Sequence, residues 1–308
     1  MAVILDFLLK TLGQVWLTFT HNWPFLLAGA VIAGILNVYV DQARVAGFLR
    51  RHNGASVFAA TGAAVGTPLC SCGTTAVILG MMAGTAADVP WAPIVAFMVA
   101  SPLTSPQELF YSAGLFGWPF AAAFFIASIL AGLLGGLFAY ALDSAGFLRG
   151  QARVAPPAAP VAAGPLRQVD LRRVAAACYA AGRQLLFFFF AFAFVGYALT
   201  NLIPSTWVEA AFGSGRVYGI PLAATLGVPF YVNTEASLPL VRAMLDAGMA
   251  PGAALAFLIT GAGTSVGAIA GALTIARWRV VSLVLVTLWI AAVLCGFGYD
   301  ALLALGAF

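Results

Sequence analysis

Most of the chain consists of apolar stretches, and their length limits what it can fold into. A helix that crosses the hydrocarbon core of a bilayer needs about 20 apolar residues, and lipid admits only structures whose backbone polar groups are all paired. Charged residues make up 8% of the chain, whereas soluble domains carry roughly 25%. The pattern predicts an all-α, polytopic membrane protein. The stretches cover approximately residues 16–40, 55–87, 90–115, 118–141, 175–200, 212–247, 251–276 and 280–306.

Several of these stretches are interrupted by residues that a plain membrane helix avoids. Non-helical backbone at membrane depth is tolerated only where protein buries it or a water-filled cavity receives it, so paired breaks point to a transport site. One break combines a proline, two glycines and two thiols within residues 66–75. Others lie near Pro229, at 101–106 and at 261–265. We expect broken or re-entrant helices at these positions.

The breaks recur at a nearly fixed spacing, which indicates an internal repeat. The matched pairs are Gly66-Thr67-Pro68-Leu69 with Gly227-Val228-Pro229-Phe230 at an offset of 161, and Ala96-Phe97 with Ala256-Phe257 and Thr104-Ser105 with Thr264-Ser265 at an offset of 160. Chance similarity among alanine- and glycine-rich helices is the alternative. We predict a first transmembrane repeat at 1–148, a proline- and alanine-rich cytoplasmic linker at 149–172 and a second repeat at 173–308.

Arginines between the apolar stretches predict the orientation, because positive charge marks the cytoplasmic side. They cluster at 44–51, in the linker and at 277–279. We expect the protein in the cell (inner) membrane with all three clusters in the cytoplasm. Both termini then lie outside, and the second half is inverted relative to the first. One broken element in each half must then be re-entrant, and the sequence leaves open which.

The thiols of Cys70 and Cys72 are the first candidates for substrate chemistry. In an extended segment, residues i and i+2 face the same side, so both thiols would face one cavity. Soft thiolates prefer soft metal ions, and two of them are fewer than a closed structural zinc site needs. We predict transient binding of a soft metalloid and no resident cofactor. The alternative is that both cysteines are small fillers at a tight break.

The backbone and hydroxyl groups at the breaks form a second candidate set. Half-helices that begin near Ser71 and Asn233 would aim free N–H groups at a ligand. Prolines and hydroxyl residues that merely kink buried helices are the alternative. The predicted substrate-binding residues are Pro68, Cys70, Ser71, Cys72, Gly73, Thr74, Thr104, Ser105, Pro229, Tyr231, Asn233, Thr234, Thr264 and Ser265.

Two acids lie beside the breaks. Glu235 is far from any loop, and an acid at membrane depth is by default a functional hypothesis. We predict that it couples transport to protons, since desolvation favours its protonated form; a neutral acid bonded to exposed carbonyls is the alternative. Glu108 is either a second coupling acid or a first-turn acid that satisfies a helix dipole.

Other polar and aromatic residues near segment ends suggest interfacial positions. Arg242 is expected to extend its charge to the interface. Residues 1–20 are expected to form a short amphipathic or interfacial lead-in, because Asp6 and Lys10 interrupt their apolar run. The residues expected in the interfacial belt are Trp16, Trp23, Trp91, Trp118, Asn201 and Trp207.

The motifs resemble a predicted-permease family that includes the ArsP organoarsenical efflux proteins and YraQ-like permeases. The resemblance is carried by Thr67–Gly73, by Ala96-Phe97 followed by Ser101-Pro102, by Gly227–Tyr231 and by Gly248–Leu258. It implies a multi-span inner-membrane permease with Cys70-Ser71-Cys72 as a substrate element. The chain differs from the family pattern at Asn233-Thr234-Glu235 and at Gly261-Ala262-Gly263.

Together these features predict a secondary permease that exports a soft, thiol-reactive solute such as a trivalent organoarsenical. No nucleotide-binding or hydrolytic motif is present, so we expect neither an enzyme nor an ATP-driven pump. The partners expected are the solute and the bilayer, with no nucleic acid. One alternative is a permease for a small anion or polar solute without thiol chemistry. Another is a membrane redox protein in which Cys70 and Cys72 form a disulfide.

Overall fold

The computed structural model describes residues 2–39, 55–66, 78, 89–153, 171–202, 205–228, 234–263, 269, 272–273 and 276–306. These residues form helices and no strand, which confirms the predicted all-α class. The helices are α1 (Ala2–Tyr39), α2 (Ser56–Gly66), α3 (Trp91–Ala100), α4 (Pro106–Phe116), α5 (Trp118–Ser144), α6 (Leu171–Leu202), α7 (Ser205–Phe212), α8 (Gly219–Gly227), α9 (Thr234–Asp246), α10 (Pro251–Gly263) and α11 (Trp278–Ala304).

Two helices in the described part of the chain are clearly long and apolar enough to cross a membrane. These are α5 and α11, which have 27 residues each and a mean hydropathy of 2.2 and 2.6. Both begin with tryptophan, at Trp118 and Trp278, so their starts are 278 − 118 = 160 residues apart. This spacing equals the offset of the sequence repeat.

The helices α5 and α11 run antiparallel. At one end, the ring of Phe120 packs edge-on against Tyr299 with 5.6 Å between centroids. At the other end, the Arg277 N–H donates to the Gln151 carbonyl at 2.7 Å. We call the side that holds residues 147–153 and 276–279 the linker face, and the side where α5 begins and α11 ends the opposite face.

The pair α1 and α6 is antiparallel as well. Asn201, near the end of α6, donates to Gln14 Oε1 in the first half of α1 at 2.8 Å. Near the start of α6, a Cβ on Gly182 would lie 3.6 Å from Ala30 in the second half of α1. Because α1 is continuous from Ala2 to Tyr39, residues 2–20 are part of the first long helix, and their interfacial position stays a prediction.

Small residues allow α5 and α11 to approach the shorter helices closely. Gly136 of α5 lies against Val57 of α2, and a Cβ on it would be 2.8 Å from Ala96 Cβ of α3. Gly132, one turn earlier in α5, lies against Thr61 and Ala100. The helices α2 and α3 therefore run in the same direction, antiparallel to α5.

The second half shows the same kind of contact. A Cβ on Gly296 of α11 would lie 3.3 Å from Ala256 Cβ and 2.7 Å from Ile220. This contact corresponds to the one between Gly136 and Ala96, because Gly296 lies 160 residues after Gly136 and Ala256 lies 160 residues after Ala96. The offset of 160 residues found in the sequence therefore also relates two helix–helix contacts.

The pair α8 and α9 is re-entrant. Ile220 places the start of α8 near the end of α11, at the opposite face. Gly227, at the other end of α8, lies against Thr260 in the interior. The chain returns through α9, after which the Ala250 N–H donates to the carbonyl of Phe212, seven residues before α8 begins, at 2.8 Å. Both ends of the pair therefore lie at the opposite face.

The helices α3 and α4 instead form one crossing element with a break. Its first half packs along α5 from the linker face, and α4 ends at Phe116, directly before α5 begins at the opposite face. The half-helices α3 and α10 form the centre of the bundle. Nearly all of their residues are buried, including Trp91 at 2% exposure. The expectation that Trp91 belongs to an interfacial belt is wrong.

Candidate functional site

The predicted interruption at 101–106 is present between α3 and α4. The Ala100 carbonyl accepts from the backbone N–H of Leu103 at 2.9 Å, from that of Thr104 at 3.0 Å, and from Thr104 Oγ1 at 2.9 Å. These bonds close α3 in a tight turn. Ser105 is extended, with ψ of 139°, and Pro106 opens α4, where its missing N–H costs nothing.

Hydroxyl groups and one carboxyl group surround this break deep in the protein. Ser101, Thr104 and Ser105 are buried, and Glu108 is only 3% exposed. Glu108 lies in the first turn of α4, and its N–H donates to the Ser105 carbonyl at 3.0 Å. The positive end of the helix dipole favours a carboxylate at that position, and the burial fits a coupling acid equally well.

The break contacts the second half of the chain. A Cβ on Gly263, the last residue of α10, would lie 3.6 Å from Leu103 Cδ1. The two positions are 263 − 103 = 160 residues apart. The interruption in the first half of the chain therefore contacts the position 160 residues later in the second half.

The rest of the predicted site is described only at its edges. Gly66 ends α2 directly before the first motif, and Gly227 ends α8 two residues before Pro229. Thr234 and Glu235 form the first turn of α9, of which the backbone alone is described. The predicted residues outside the described part are Pro68, Cys70, Ser71, Cys72, Gly73, Thr74, Pro229, Tyr231, Asn233, Thr264 and Ser265.

A polar cavity of about 830 Å³ opens near the opposite face, between α1, α4, α6 and α9. It is lined by Gln14, Leu17, Thr18, Tyr197, Arg242, Asp246 and residues 113–117. Polar side chains of Gln14, Thr18, Tyr197, Arg242 and Asp246 form part of its lining, beside apolar residues. The cavity is therefore a candidate vestibule for a water-soluble ligand.

Arg242 forms the polar rim of this cavity. Its Nη1 donates to the Leu115 carbonyl in the last turn of α4 at 3.0 Å. Its Nη2 lies 2.9 Å from Asp246 Oδ1, and its Nε lies 3.4 Å from Asp246 Oδ2. Arg242 thus joins α9 to α4 at the opposite face, and the extension of its charge to the interface stays a prediction.

Two further hydrogen-bonded groups join α1 to α6 beside the cavity. Thr18 Oγ1 lies 2.7 Å from Tyr197 Oη. Asn201 Nδ2 donates to Thr11 Oγ1 at 3.1 Å and to Gln14 Oε1 at 2.8 Å, so Asn201 is a helix–helix contact rather than a belt residue. The missed signal was the helical spacing of Thr11, Gln14 and Thr18, which places three polar groups on one face of α1.

The described residues contain no group of three or more histidine, cysteine or acidic side chains that could hold a metal ion. The two cysteines described, Cys178 and Cys295, are free and half-buried. The groups that the described part of the site could present to a ligand are hydrogen-bonding side chains, the ion pair of Arg242 with Asp246 and the buried hydroxyls.

Comparison with curated proteins and with solved structures gave no match. A family model described as a predicted permease, ArsP, matches residues 15–300. The matched range includes the four predicted breaks, the re-entrant pair and every lining residue of the cavity except Gln14. It also agrees with the resemblance seen in the motifs. The chain belongs to the ArsP family of predicted permeases.

Proposed function

We propose that the chain is a secondary permease of the inner membrane, built from two inverted repeats, that exports a soft, thiol-reactive solute. The observation that carries the transport architecture is the antiparallel pairing of equivalent helices, α5 with α11 and α1 with α6. Helices related by 160 residues that run in opposite directions are what inverted repeats require. In transporters built this way the site lies near the bilayer midplane, between the repeats.

The interrupted elements support a site at that depth. A re-entrant pair ends in the interior at Gly227, and a crossing element breaks where Leu103 meets Gly263. Backbone freed from helical pairing needs protein or water around it. We place the translocation site where these ends converge, with the polar cavity as its vestibule.

Positive charges support the orientation. Arg149 and Arg153 of the linker lie on the linker face together with Arg277 and Arg279. Cytoplasmic segments are enriched in arginine, so we assign the linker face to the cytoplasm. The opposite face, with the cavity, is then on the non-cytoplasmic side of the inner membrane.

The substrate chemistry rests on Cys70 and Cys72. Family membership supports a permease, and two thiols in one break add a soft donor set to it. The solute class that fits is a trivalent metalloid or organometalloid that forms reversible bonds to sulfur. Release is feasible because two thiols do not complete a closed site.

The test compares two double variants in an efflux-deficient host and in inside-out vesicles. Cys70→Ser with Cys72→Ser should abolish resistance to trivalent methylarsenical and antimonite, and should abolish uptake of both solutes into the vesicles. Cys178→Ser with Cys295→Ser, which removes the other cysteines, should leave both readouts unchanged. Equal transport by the two double variants at equal expression would remove the thiol mechanism.

A second candidate keeps the permease and drops the thiols. Buried hydroxyls at Ser101, Thr104 and Ser105 line the break at which α4 begins, and a helix N-terminus favours anions or electron-rich ligand atoms. A small polar or anionic solute would bind there. In that case the serine variants at Cys70 and Cys72 transport normally, and substitutions at Thr104 and Ser105 abolish transport.

A further inference from the structure

We propose that the polar cavity at the opposite face binds a small free solute through its acceptor oxygens, those of a carboxylate or an oxyanion, and that Gln14 and Arg242 supply the hydrogen-bond donors. The inference goes beyond the proposed function, because it holds whether or not thiols bind the exported solute. It starts from the directions of the hydrogen bonds in the cavity wall, which decide whether the wall offers donors or acceptors. Every lining residue belongs to the described part of the chain.

Hydrogen bonds between α1 and α6 fix the orientation of the Asn201 side chain. Thr11 Oγ1 donates to the carbonyl of Phe7 at 2.8 Å. A hydroxyl group has a single proton to donate, so Thr11 Oγ1 is the acceptor in its other bond, which joins it to Asn201 at 3.1 Å. The atom of Asn201 at this position must therefore be the amide nitrogen.

The same reasoning extends from Asn201 to Gln14. The Asn201 nitrogen also lies 2.8 Å from the side-chain amide of Gln14, and only the oxygen of that amide can accept from it. Gln14 Oε1 thus faces Asn201, and Nε2 is the end of the amide left for the cavity that Gln14 lines. Thr11, which is fully buried, in this way determines that the wall presents N–H donors at Gln14 rather than an acceptor.

Arg242 supplies the second group of donors. Its guanidinium has five N–H groups, and the bonds to the Leu115 carbonyl and to both carboxylate oxygens of Asp246 engage three of them. The side chain is 39% exposed and lines the cavity, so the remaining N–H groups are accessible to a ligand there. Arginine N–H groups form strong hydrogen bonds with carboxylate and phosphate oxygens.

Two strong acceptors of the cavity wall are already engaged within the wall. The Leu115 carbonyl accepts from Arg242, and both oxygens of Asp246 contact the same guanidinium. Asp246 also interacts with Tyr197, whose hydroxyl lies 2.7 Å from Thr18 Oγ1. A ligand rich in acceptor oxygens therefore complements the donors that remain. Because the charges of Arg242 and Asp246 cancel, we expect the binding to be weak and reversible.

Phosphorus NMR of inorganic phosphate, with the full chain in a phosphate-free maltoside detergent, tests this site. The phosphate line should broaden when the protein is added, and acetate should reverse the broadening by competition. Gln14→Glu keeps the acceptor that Asn201 requires but replaces the N–H donors by a carboxylate oxygen. It should weaken phosphate binding at least about tenfold, as expected for a lost hydrogen bond to a charged group. Gln151→Glu, the same change at the linker face, should bind phosphate like the unmodified chain.

Asn201 is a positioning residue, because it acts through Gln14 and does not itself line the cavity. Asn201→Asp removes the donor, so the Gln14 amide should turn its nitrogen toward the new carboxylate and its oxygen toward the cavity. Phosphate binding should then weaken about as much as in Gln14→Glu. The unfolding temperature should stay close to that of the unmodified chain, because Thr11 can turn its hydroxyl to donate to the same carboxylate. A lower unfolding temperature with unchanged phosphate binding would show that Asn201 serves the packing of α1 on α6 alone.

Arg242→Gln should also weaken phosphate binding at least about tenfold, and Arg242→Lys should retain part of it. Arg216→Gln is the matched control, since Arg216 is exposed at the same face and lies just before α8. No broadening by the unmodified chain, or equal phosphate binding by Gln14→Glu, Arg242→Gln and the controls, would overturn the proposal.

A lipid headgroup carries the same phosphate oxygens as a free solute, so dihexanoyl phosphatidylglycerol is titrated in parallel. Tighter binding of this lipid than of inorganic phosphate, with the same dependence on Gln14 and Arg242, would assign the cavity to lipid and overturn its assignment to a free solute. The double serine variant at Cys70 and Cys72 should bind phosphate normally. The cavity proposal and the thiol mechanism can therefore fail independently of one another.

Discussion

Gly263 meets Leu103 in the centre of the protein, where a Cβ on the glycine would lie 3.6 Å from Leu103 Cδ1. The two residues are 160 residues apart, which is the offset of the predicted repeat. Equivalent positions of two repeats touch one another only close to the axis that relates them. The break between α3 and α4 and the end of α10 thus lie where a two-fold axis would pass, and the first prediction concerns this contact.

Leu103→Ala should destabilise the protein by about 2–5 kcal/mol, the usual cost of removing a fully buried leucine side chain. Gly263→Ala should also destabilise it, because the new Cβ would lie 2.9 Å from Leu288. Residues in contact have non-additive effects, so the double variant should differ from the sum of the single ones. Thermal unfolding in detergent measures each value. Strict additivity, as expected for Leu103→Ala combined with Gly62→Ala on α2, would show that Leu103 and Gly263 are not in contact.

Gly136→Val should destabilise the bundle by about 1–3 kcal/mol, as expected for overpacking. The valine would collide with Val57 and with Ala96, 2.8 Å away, and would separate α5 from α2 and α3. Gly62→Val is the control, because a Cβ on Gly62 meets none of the neighbouring atoms within 4 Å. Similar unfolding temperatures for the two variants would contradict the close helix crossing.

Asp300→Ala should cost about 0.5–2 kcal/mol, the range measured for lost helix caps. Asp300 Oδ1 accepts from the Gly252 N–H in the first turn of α10 at 2.7 Å, and alanine leaves that donor without its acceptor. Asp300→Asn keeps an acceptor oxygen and should lose less. Denaturant or thermal unfolding of the two variants ranks them, and an equal loss would show that the charge matters rather than the hydrogen bond.

Glu235→Gln should abolish transport driven by a pH gradient while leaving substrate exchange across the membrane intact, if this acid carries the coupled proton. Glu108→Gln provides the comparison, since a first-turn acid stabilises α4 by about 0.3–1 kcal/mol without changing the coupling. Proton flux and solute flux in the same proteoliposomes separate the two roles. Retained coupling in both variants would exclude both acids as proton carriers.

Much of the fold could be predicted from the sequence. Long apolar stretches with few charges are expected to lie in lipid, where every backbone polar group must be paired. A helix pairs these groups within one segment, so helices were predicted. Proline and hydroxyl residues at 101–106 predicted an interruption that is present, because Pro106 cannot continue the hydrogen bonding of α3. The repeat offset was visible at Ala96 and Ala256 before their contacts with Gly136 and Gly296 were known.

The vestibule could not be predicted in the same way. The sequence suggested interfacial positions for Arg242 and Asn201, because both lie near the end of an apolar stretch and the local sequence contains no information about their partners. Their partners, Leu115 and Gln14, lie 127 and 187 residues away in the chain. Which distant carbonyl or amide a polar side chain meets depends on how the helices are packed.

The sequence by itself determined that this chain is a helical membrane protein with an interruption at 101–106, because hydropathy and backbone pairing are local properties. Only the tertiary structure decided which broken element turns back. The bond from Ala250 to Phe212 places both ends of the pair α8 and α9 at one face, whereas α3 and α4 lie end to end across the bundle. Both elements have the same apolar character, so the difference arises from long-range packing.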